Sequence, residues 1–564
     1  MYVEAKRGRS RELWTFHGGL HLPDHKQLSL ELPTRQAELP KRLILPLHQH
    51  IGDPAHPLVE LGQRVLKGEK IADSPAPVTA PLHAPTSGTV VEIGDQPIPH
   101  PSGLPGPCIV IESDGKDEWA ELPAPIADYL RADARTLRQR IREAGIVGMG
   151  GATFPSAVKL NPGKPIKTLI INGAECEPYI TCDDRLMQDR PEQVMEGVRI
   201  LQHMLQSEEC LIAIEDNKPE AILALHNLVR DDEPIEVIRI PTLYPSGGEK
   251  QLIRILTGRE VPSSGLPAQV GVICHNVATA AAIADAVLEG KPLISRLVTL
   301  TGEGIREPGN FEALIGTLAS DLIAQAGGYQ DNPQQLILGG PMMGFDLTSD
   351  SIPITKGANC LLCPTPQEAP RPEPAQACIR CGRCADVCPA HLLPQQMYWY
   401  SRAKDLEKVQ DYNLFDCIEC GCCSHVCPSH IPLVQYYRYA KHESWAQEQE
   451  RREAEHAKQR HDARIARLER LEAERKANLR KKKEALGKRP PAKKAAKAGT
   501  DDKASKQAAI EAAMKRAAEK KARQQTQPKN IDNLTPAQQA KIEAVEQRRK
   551  AAQAETENET ERQP

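Results

Sequence analysis

Aromatic residues make up only 4% of the 564-residue chain, and none lies beyond Trp445. That last stretch therefore lacks the large side chains that dominate a packed core. No apolar run reaches the roughly 18 residues a membrane-spanning helix needs, so any membrane association is expected through a partner or a surface. The first residues lack the basic and apolar regions of a secretory signal. Neither sign of charge is in excess: 72 Lys and Arg oppose 75 Asp and Glu, a net charge of −3. This argues against nucleic acid as the main partner.

What the chain does have is cysteine, 16 in all, and half of them form one pattern. Cys378, Cys381, Cys384 and Cys388 precede Pro389 with the spacing C-x2-C-x2-C-x3-C-P. Cys417, Cys420, Cys423 and Cys427 precede Pro428 with the same spacing. Three closely spaced thiolates wrap three corners of an iron–sulfur cubane. The fourth cysteine of such a run ligates the other cluster. The expected ligand sets are thus Cys378, Cys381, Cys384 and Cys427 for one [4Fe–4S] cluster, and Cys417, Cys420, Cys423 and Cys388 for the other. Structural zinc uses two separated pairs instead, and a disulfide framework does not suit a large chain in a reducing compartment. Cys422 falls off the pattern and reads as a spectator. The spacer Gln395 to Asn413, with Met397, Tyr398, Trp399, Tyr400 and Leu406, reads as a helix packed over the clusters.

The rest of the chain divides by pattern. Residues 1–35 carry Trp14, Phe16, His17 and two glycines but little else. Residues 36–125 alternate apolar residues with glycine turns, as small β-strands do. They resemble biotinyl- and lipoyl-carrier domains, except that Asp73 to Thr79, the position of the modified lysine, contains none. This segment reads as a docking or structural β-sandwich. Residues 126–295 alternate strands and helices, the pattern of a parallel, Rossmann-like sheet. A glycine loop from Gly145 to Lys159 and the strand end Asn172 to Pro178 lie where open α/β sheets bind ligands. Two further loops, Tyr244 to Lys250 and Cys274 to Thr279, open helices; ordinary N-capping is the competing reading for each. Residues 296–350 read as a small β-grasp unit. Residues 351–376 read as a Pro-rich linker holding a lone pair, Cys360 and Cys363, of structural character or near a cluster. Residues 377–440 form the double-cluster, ferredoxin-type domain. Residues 441–564 are a charged helix, with Ile465, Leu468, Leu471 and Leu479 thinly spaced, followed by a low-complexity, disordered tail. The expected fold is multidomain α/β.

This order of motifs, over residues 10 to 440, resembles the C subunit of the Rnf/Rsx ion-translocating oxidoreductase complex. Residues 148 to 328 are more weakly similar to the flavin- and NADH-binding subunit of respiratory complex I. The resemblance implies a non-covalent FMN whose phosphate meets Gly148, Gly150, Gly151 and Lys159. It implies flavin contacts at Asn172 and Glu175, an acid near nicotinamide at Glu177 and an aromatic stacking on the nucleotide at Phe154. Gly247 and Glu249 match the second loop of that relative, and Asn276 and Thr279 the third. Ala174, Thr153 and Gly248 stand where the relative has aspartate, glycine and glutamate. NADH is then the substrate. The implied partners are other subunits of a membrane complex and a ferredoxin or similar redox protein, with the chain on the cytoplasmic face of a bacterial inner membrane. The implied function is electron transfer between NADH and ferredoxin coupled to ion movement. The alternative is a ferredoxin-like relay adaptor with a degenerate flavin pocket.

Overall fold

The computed structural model describes residues 2–4, 10–330, 335–370, 373–487 and 511–515. The chain separates into two units, residues 1–456 and 457–564.

In the first unit, two small sheets form the β-sandwich. One has the strand order Arg42–Pro46, Pro105–Ser113, Gly88–Pro97, Arg64–Val65; the other joins His56–Pro57, Lys70–Asp73 and Leu82–His83. Alternate side chains Val65, Ile71, Val90, Ile109 and Ile111 are buried between them. The lysine-free segment between Lys70–Asp73 and Leu82–His83 is pinned down. Asp53 N–H donates to the Val78 carbonyl at 3.0 Å, and Arg142 Nη2 donates to the Ser74 carbonyl at 3.2 Å. It is a docked loop and not a swinging arm.

The helix Ala134–Glu143, capped by Asp133 accepting from Thr136 N–H, leads into a four-stranded, all-parallel sheet. Its order is Ile235–Ile240, Glu209–Glu215, Thr168–Gly173, Val272–Asn276. Three strands wind one way from Thr168–Gly173, and the fourth crosses to its other side. The winding therefore reverses between Thr168–Gly173 and Val272–Asn276, whose ends Asn172 and Asn276 are paired in register. Such a reversal opens a crevice at the strands' carboxyl ends. Behind the sheet, Pro191–Leu205 packs on Val277–Ala284 so closely that a Cβ on Gly197 would lie 1.8 Å from the Ala280 carbonyl oxygen. Only glycine allows that approach.

A six-stranded mixed sheet follows: Phe345–Asp346, Ile337–Leu338, Cys360–Leu362, Ser295–Thr301, Gly309–Leu314, Arg35–Gln36. It corrects two expectations. Cys360–Leu362 is an inner strand, so residues 351–363 belong to the β-grasp layer and not to a linker. Cys360 and Cys363 are fully buried there and line neither cysteine-ringed cavity described below. An apolar run of three residues beside prolines is too short to show periodicity. The N-terminal segment is also part of the architecture: Arg35–Gln36 pairs with Gly309–Leu314, and residues 14–30 run along the parallel-sheet domain.

The cysteine-rich domain repeats one backbone pattern. Arg380 and Glu419, Gly382 and Gly421, and His391 and His430 occupy matching motif positions, all with positive φ. The spacer forms two helices, Pro394–Ala403 and Leu406–Asp411, where the sequence suggests one. Lys404 turns left-handed at φ 57° and Asp405 caps the second helix. Met397 and Tyr398 are buried as expected, whereas Trp399 reaches solvent.

Leu433–Gly487 is one long helix. In the second unit its side chains are solvent-exposed, with Ile465, Leu468, Leu471 and Leu479 each 42–52% exposed, a stripe too thin for a core. The expected disordered tail lies outside the described residues, apart from the short helical stretch 511–515. No helix among the described residues is long and apolar enough to cross a membrane.

Candidate functional site

A cavity of about 620 Å³ opens at the reversal of the parallel sheet, well within the roughly 300–1,000 Å³ usual for small-molecule sites. It is lined by Gly148, Gly150, Gly151, Phe154, Lys159, Asn172, Glu175, Glu177, Gly247, Glu249 and Asn276, among others. Thus all but one of the residues singled out for flavin or nucleotide meet here. The exception is Thr279, which is fully buried and accepts from Met149 N–H at 2.9 Å. It holds the glycine loop from behind.

The glycine loop closes on itself: Gly148 N–H donates to the Phe154 carbonyl, and Thr153 N–H to that of Gly148. Thr153 takes φ 46°, a region that favours glycine. Arg296, buried in the neighbouring sheet, donates to the Met149 and Ala358 carbonyls. Gly151 has open space where a Cβ would stand, so an incoming phosphate can approach its backbone.

Two buried polar atoms lack a protein partner here. Ser156 Oγ and His275 Nε2 both belong to residues lining the cavity, and both are unpaired. Burial and the nearby Lys159 push His275 down to about 3, so its ring is neutral at physiological pH. Unpaired buried groups cost ~1–3 kcal/mol each, and a bound phosphate or flavin offers partners for them. The cavity thus fits FMN: an open glycine loop, a hydroxyl, a lysine and two side-chain amides share its lining. Lys159 forms an ion pair with Glu249, so two residues assigned to the cofactor also hold each other.

The acidic pair is built differently from a solvated cap. Glu175 accepts the N–H groups of Asp183 and Asp184 at 2.7 and 3.2 Å. Burial pushes it up to about 8, opposed by Lys26. Glu177 Oε1 accepts from Met342 and Met343 N–H at 2.7 and 3.0 Å. Burial raises its pKa, and these two amide bonds oppose that. A Cβ on Gly340 would lie 2.2 Å from Glu177 Cγ, so the glycine turn exists to admit this side chain. Asn172 Nδ2 donates to the Gly247 carbonyl at 2.8 Å. Asn276 caps Val277–Ala284 and donates to Asp183 Oδ2 at 2.5 Å.

Sequence reasoning missed Lys26. It is buried, and its Nζ donates to the carbonyls of Glu175, Glu177 and Ile180, so it shapes the loop bearing both acids. No motif surrounds it; only tertiary structure brings it there. Tyr244, Cys176, Ser156 and His275 also line the cavity. They sit beside or within the loops already singled out, so proximity to the motifs was a usable signal.

The eight motif cysteines surround two smaller cavities. Cys388, Cys417, Cys420 and Cys423 line one; Cys378, Cys381, Cys384 and Cys427 line the other. The crossed sets expected from the spacing are therefore the sets brought together in space. Four thiols around each hollow are the donor set of a [4Fe–4S] cubane. Cys422 touches the first hollow too; it packs in one cluster with Cys420, Tyr244, Cys176 and Met342, whereas Cys378, Cys384, Cys388, Cys417, Cys423 and Cys427 belong to another. Ile418 lines both this hollow and the large cavity. The Tyr244 hydroxyl donates to the Cys420 carbonyl at 2.6 Å. The hollow ringed by Cys388, Cys417, Cys420 and Cys423 is thus next to the flavin-sized cavity.

Four family models match successive parts of the chain. Residues 14–116 match the RnfC Barrel sandwich hybrid domain, 141–285 the Nuo51 FMN-binding domain, 297–346 the SLBB domain and 377–431 the 4Fe-4S dicluster domain. A solved NAD+-reducing [NiFe]-hydrogenase in the air-oxidized state is 18% identical, covering 56% of this chain and 65% of that chain at a TM-score of 0.41, too distant to carry an argument. The C subunit of the ion-translocating oxidoreductase complex of Pseudomonas aeruginosa is 52% identical over 82% of this chain. The chain spans 60% of that relative's length, and 66% of the like-named Yersinia enterocolitica protein. The like-named protein of Yersinia pestis bv. Antiqua is 50% identical over 81% of this chain, with 74% of its own length covered. With half of the aligned residues shared and four family domains matched, the chain belongs to the family of C subunits of the ion-translocating oxidoreductase complex.

Proposed function

We propose that this chain is the electron-entry subunit of a membrane-bound complex that couples electron transfer between NADH and a ferredoxin, or another redox protein, to ion movement. The observation that carries the reading is the contact between the two kinds of site. The flavin-sized cavity and the hollow of Cys388, Cys417, Cys420 and Cys423 share Ile418 as a wall.

FMN, when bound, supplies the conversion between a two-electron hydride donor and one-electron acceptors. The protein supplies placement. Gly148, Gly150, Gly151, Ser156 and Lys159 receive the phosphate. Asn172, Gly247, Glu249 and Asn276 line the remaining walls, and Glu175 fixes the start of helix Cys182–Asp189 against them. Phe154 lies half-buried on the cavity wall, placed to stack on a nucleotide. Glu177 is held by the Met342 and Met343 amides, with its carboxylate on the cavity wall, to orient nicotinamide for hydride transfer. As the point of electron entry, the chain sits peripherally on the cytoplasmic face, where NADH is found, and docks on membrane partners.

Glu177→Gln tests this. The amide oxygen still accepts from Met342 and Met343, so the turn and the clusters should persist. Flavin reduction by NADH, followed by stopped flow, should slow about tenfold or more, while dithionite still reduces the clusters. An unchanged rate and unchanged NADH affinity would overturn the role of Glu177. The Lys159–Glu249 pair favours a second reading, a relay adaptor in which the phosphate lysine is already neutralised. Protein purified anaerobically with iron but without flavin, and unable to bind added FMN, would support it.

A further inference from the structure

The two halves of the cysteine-rich domain share one backbone pattern but differ in what they present. In the second half, the residue between the first two cysteines of the motif is Glu419, half-buried and engaged by Arg438 at 2.9 Å and Lys441 at 2.7 Å. Its neighbour Ile418 is the wall shared with the large cavity. In the first half the matching residues are Ile379 and Arg380. Ile379 is 68% exposed. Arg380 takes the same left-handed turn as Glu419, at φ 57° against 56°, yet points to an open side. Arg383, one turn on, is exposed too. Neither arginine has an ion-pair partner among the described residues. Between them lies Cys381, the one exposed cysteine of the eight.

One half of the domain is thus closed against the flavin side, and its equivalent opens to solvent. The opening has an apolar centre, Ile379, flanked by two unpaired guanidinium groups over an exposed cluster ligand. Weak electron-transfer contacts are small, and charge complementarity governs how fast and how specifically they form. Arginine is suited to carboxylates because its planar fork matches them in pairs.

We propose that Ile379, Arg380, Cys381 and Arg383 form the port through which electrons leave the chain, and that its occupant is a one-electron redox protein whose docking face carries carboxylates. With a [4Fe–4S] cluster held by Cys378, Cys381, Cys384 and Cys427, one electron would pass to the partner's oxidised centre. The partner is reduced by one electron, and no bond or proton changes hands. The proposal rests on the electron-entry reading above, and it adds where the electrons go and what chemistry receives them.

The test uses the full chain, made anaerobically, as wild type, as Arg380→Glu with Arg383→Glu, and as Arg380→Lys with Arg383→Lys. Iron content and cluster EPR must match among the three. Each is reduced with dithionite, freed of excess reductant, and mixed with one of two acceptors: a small acidic ferredoxin or basic cytochrome c. The wild type should reduce the acidic acceptor at a rate that falls as salt rises, since screening shortens the reach of surface charge. Charge reversal should slow that reaction about tenfold or more at low salt and speed reduction of cytochrome c. The lysine pair should stay close to wild type. Equal rates and equal salt dependence in all three would overturn the proposal. So would binding to vesicles of anionic lipid that charge reversal abolishes while both electron-transfer rates stay unchanged, since the arginines would then serve a membrane surface. Because dithionite and not NADH supplies the electrons, a failure of the flavin route leaves this comparison intact.

Discussion

The hydroxyl of Tyr244 donates to the backbone carbonyl of Cys420 at 2.6 Å, in the wall between the flavin-sized cavity and the nearer cluster hollow. Tyr244 is 3% exposed and is tied to the N-terminal segment by a pair of backbone bonds with Leu20. It is a direct hydrogen-bonded link between the two sites. Tyr244→Phe removes the donor and leaves a buried carbonyl unpaired, at ~1–3 kcal/mol. Reduction of the flavin by NADH is expected to stay within about threefold of wild type. Arrival of electrons at the clusters, read by rapid-freeze EPR, should slow several-fold. Equal cluster reduction in both proteins would show that Tyr244 only fills space.

Lys26 is expected to matter more for flavin retention than any glycine-loop side chain. Its ammonium holds three carbonyls of the loop that carries Glu175 and Glu177, and hydrogen bonds to charged groups are worth ~1.5–3 kcal/mol each. Lys26→Met should weaken FMN binding more than about tenfold, measured by flavin fluorescence, with iron content unchanged. Wild-type affinity in the variant would leave Lys26 a packing residue alone.

The crossed cysteine sets predict an asymmetry within one motif. Wild-type protein should hold about eight irons, from two cubanes. Cys388→Ser should remove the cluster next to the flavin, though Cys388 belongs to the first motif, and Cys381→Ser the outer one. Cys422→Ser should leave all the iron in place. EPR of each variant reduced with dithionite distinguishes them; loss of the outer cluster in Cys388→Ser would contradict the crossed arrangement.

Lys356 makes stability depend on pH. It is buried where the β-sandwich, the glycine loop and the β-grasp sheet meet, and its Nζ donates to the Pro81 and Gly145 carbonyls, each at 2.7 Å. Burial pushes its pKa from 10.5 down to about 7, with Asp73 opposing. Between about pH 7 and about pH 10 the unfolded chain keeps a proton that the folded one releases, so stability from this group rises with pH across that window and is flat below it. Lys356→Met should abolish the rise. Denaturation midpoints at several pH values check this: wild type should gain on the variant as pH increases above 7. Parallel curves would mean that the two carbonyls keep the ammonium charged when folded.

Motif spacing alone grouped the eight cysteines into the two crossed sets that line the two hollows, because the fourth cysteine's partner follows from how far a short chain can bend. Loop chemistry likewise marked Gly148 to Lys159, Asn172 to Glu177, Gly247 to Glu249 and Asn276, since glycines and amides at strand ends have few other uses together. Tertiary structure decided the rest. Thr279 lies behind the loop and not in the cavity because the helix that bears it turns its hydroxyl toward Met149. Cys360–Leu362 is an inner strand because three residues suffice once Ser295–Thr301 and Ile337–Leu338 flank them, yet three residues show no period. Lys26 carried no local signal, and Tyr244 and Arg380 lie in stretches the motifs marked without being distinguished there from their neighbours. Each gains its role from a partner far away in sequence or, for Arg380, from the absence of one at an open face. Local pattern records what the backbone must do, whereas the charge a side chain meets is set only by what folds against it.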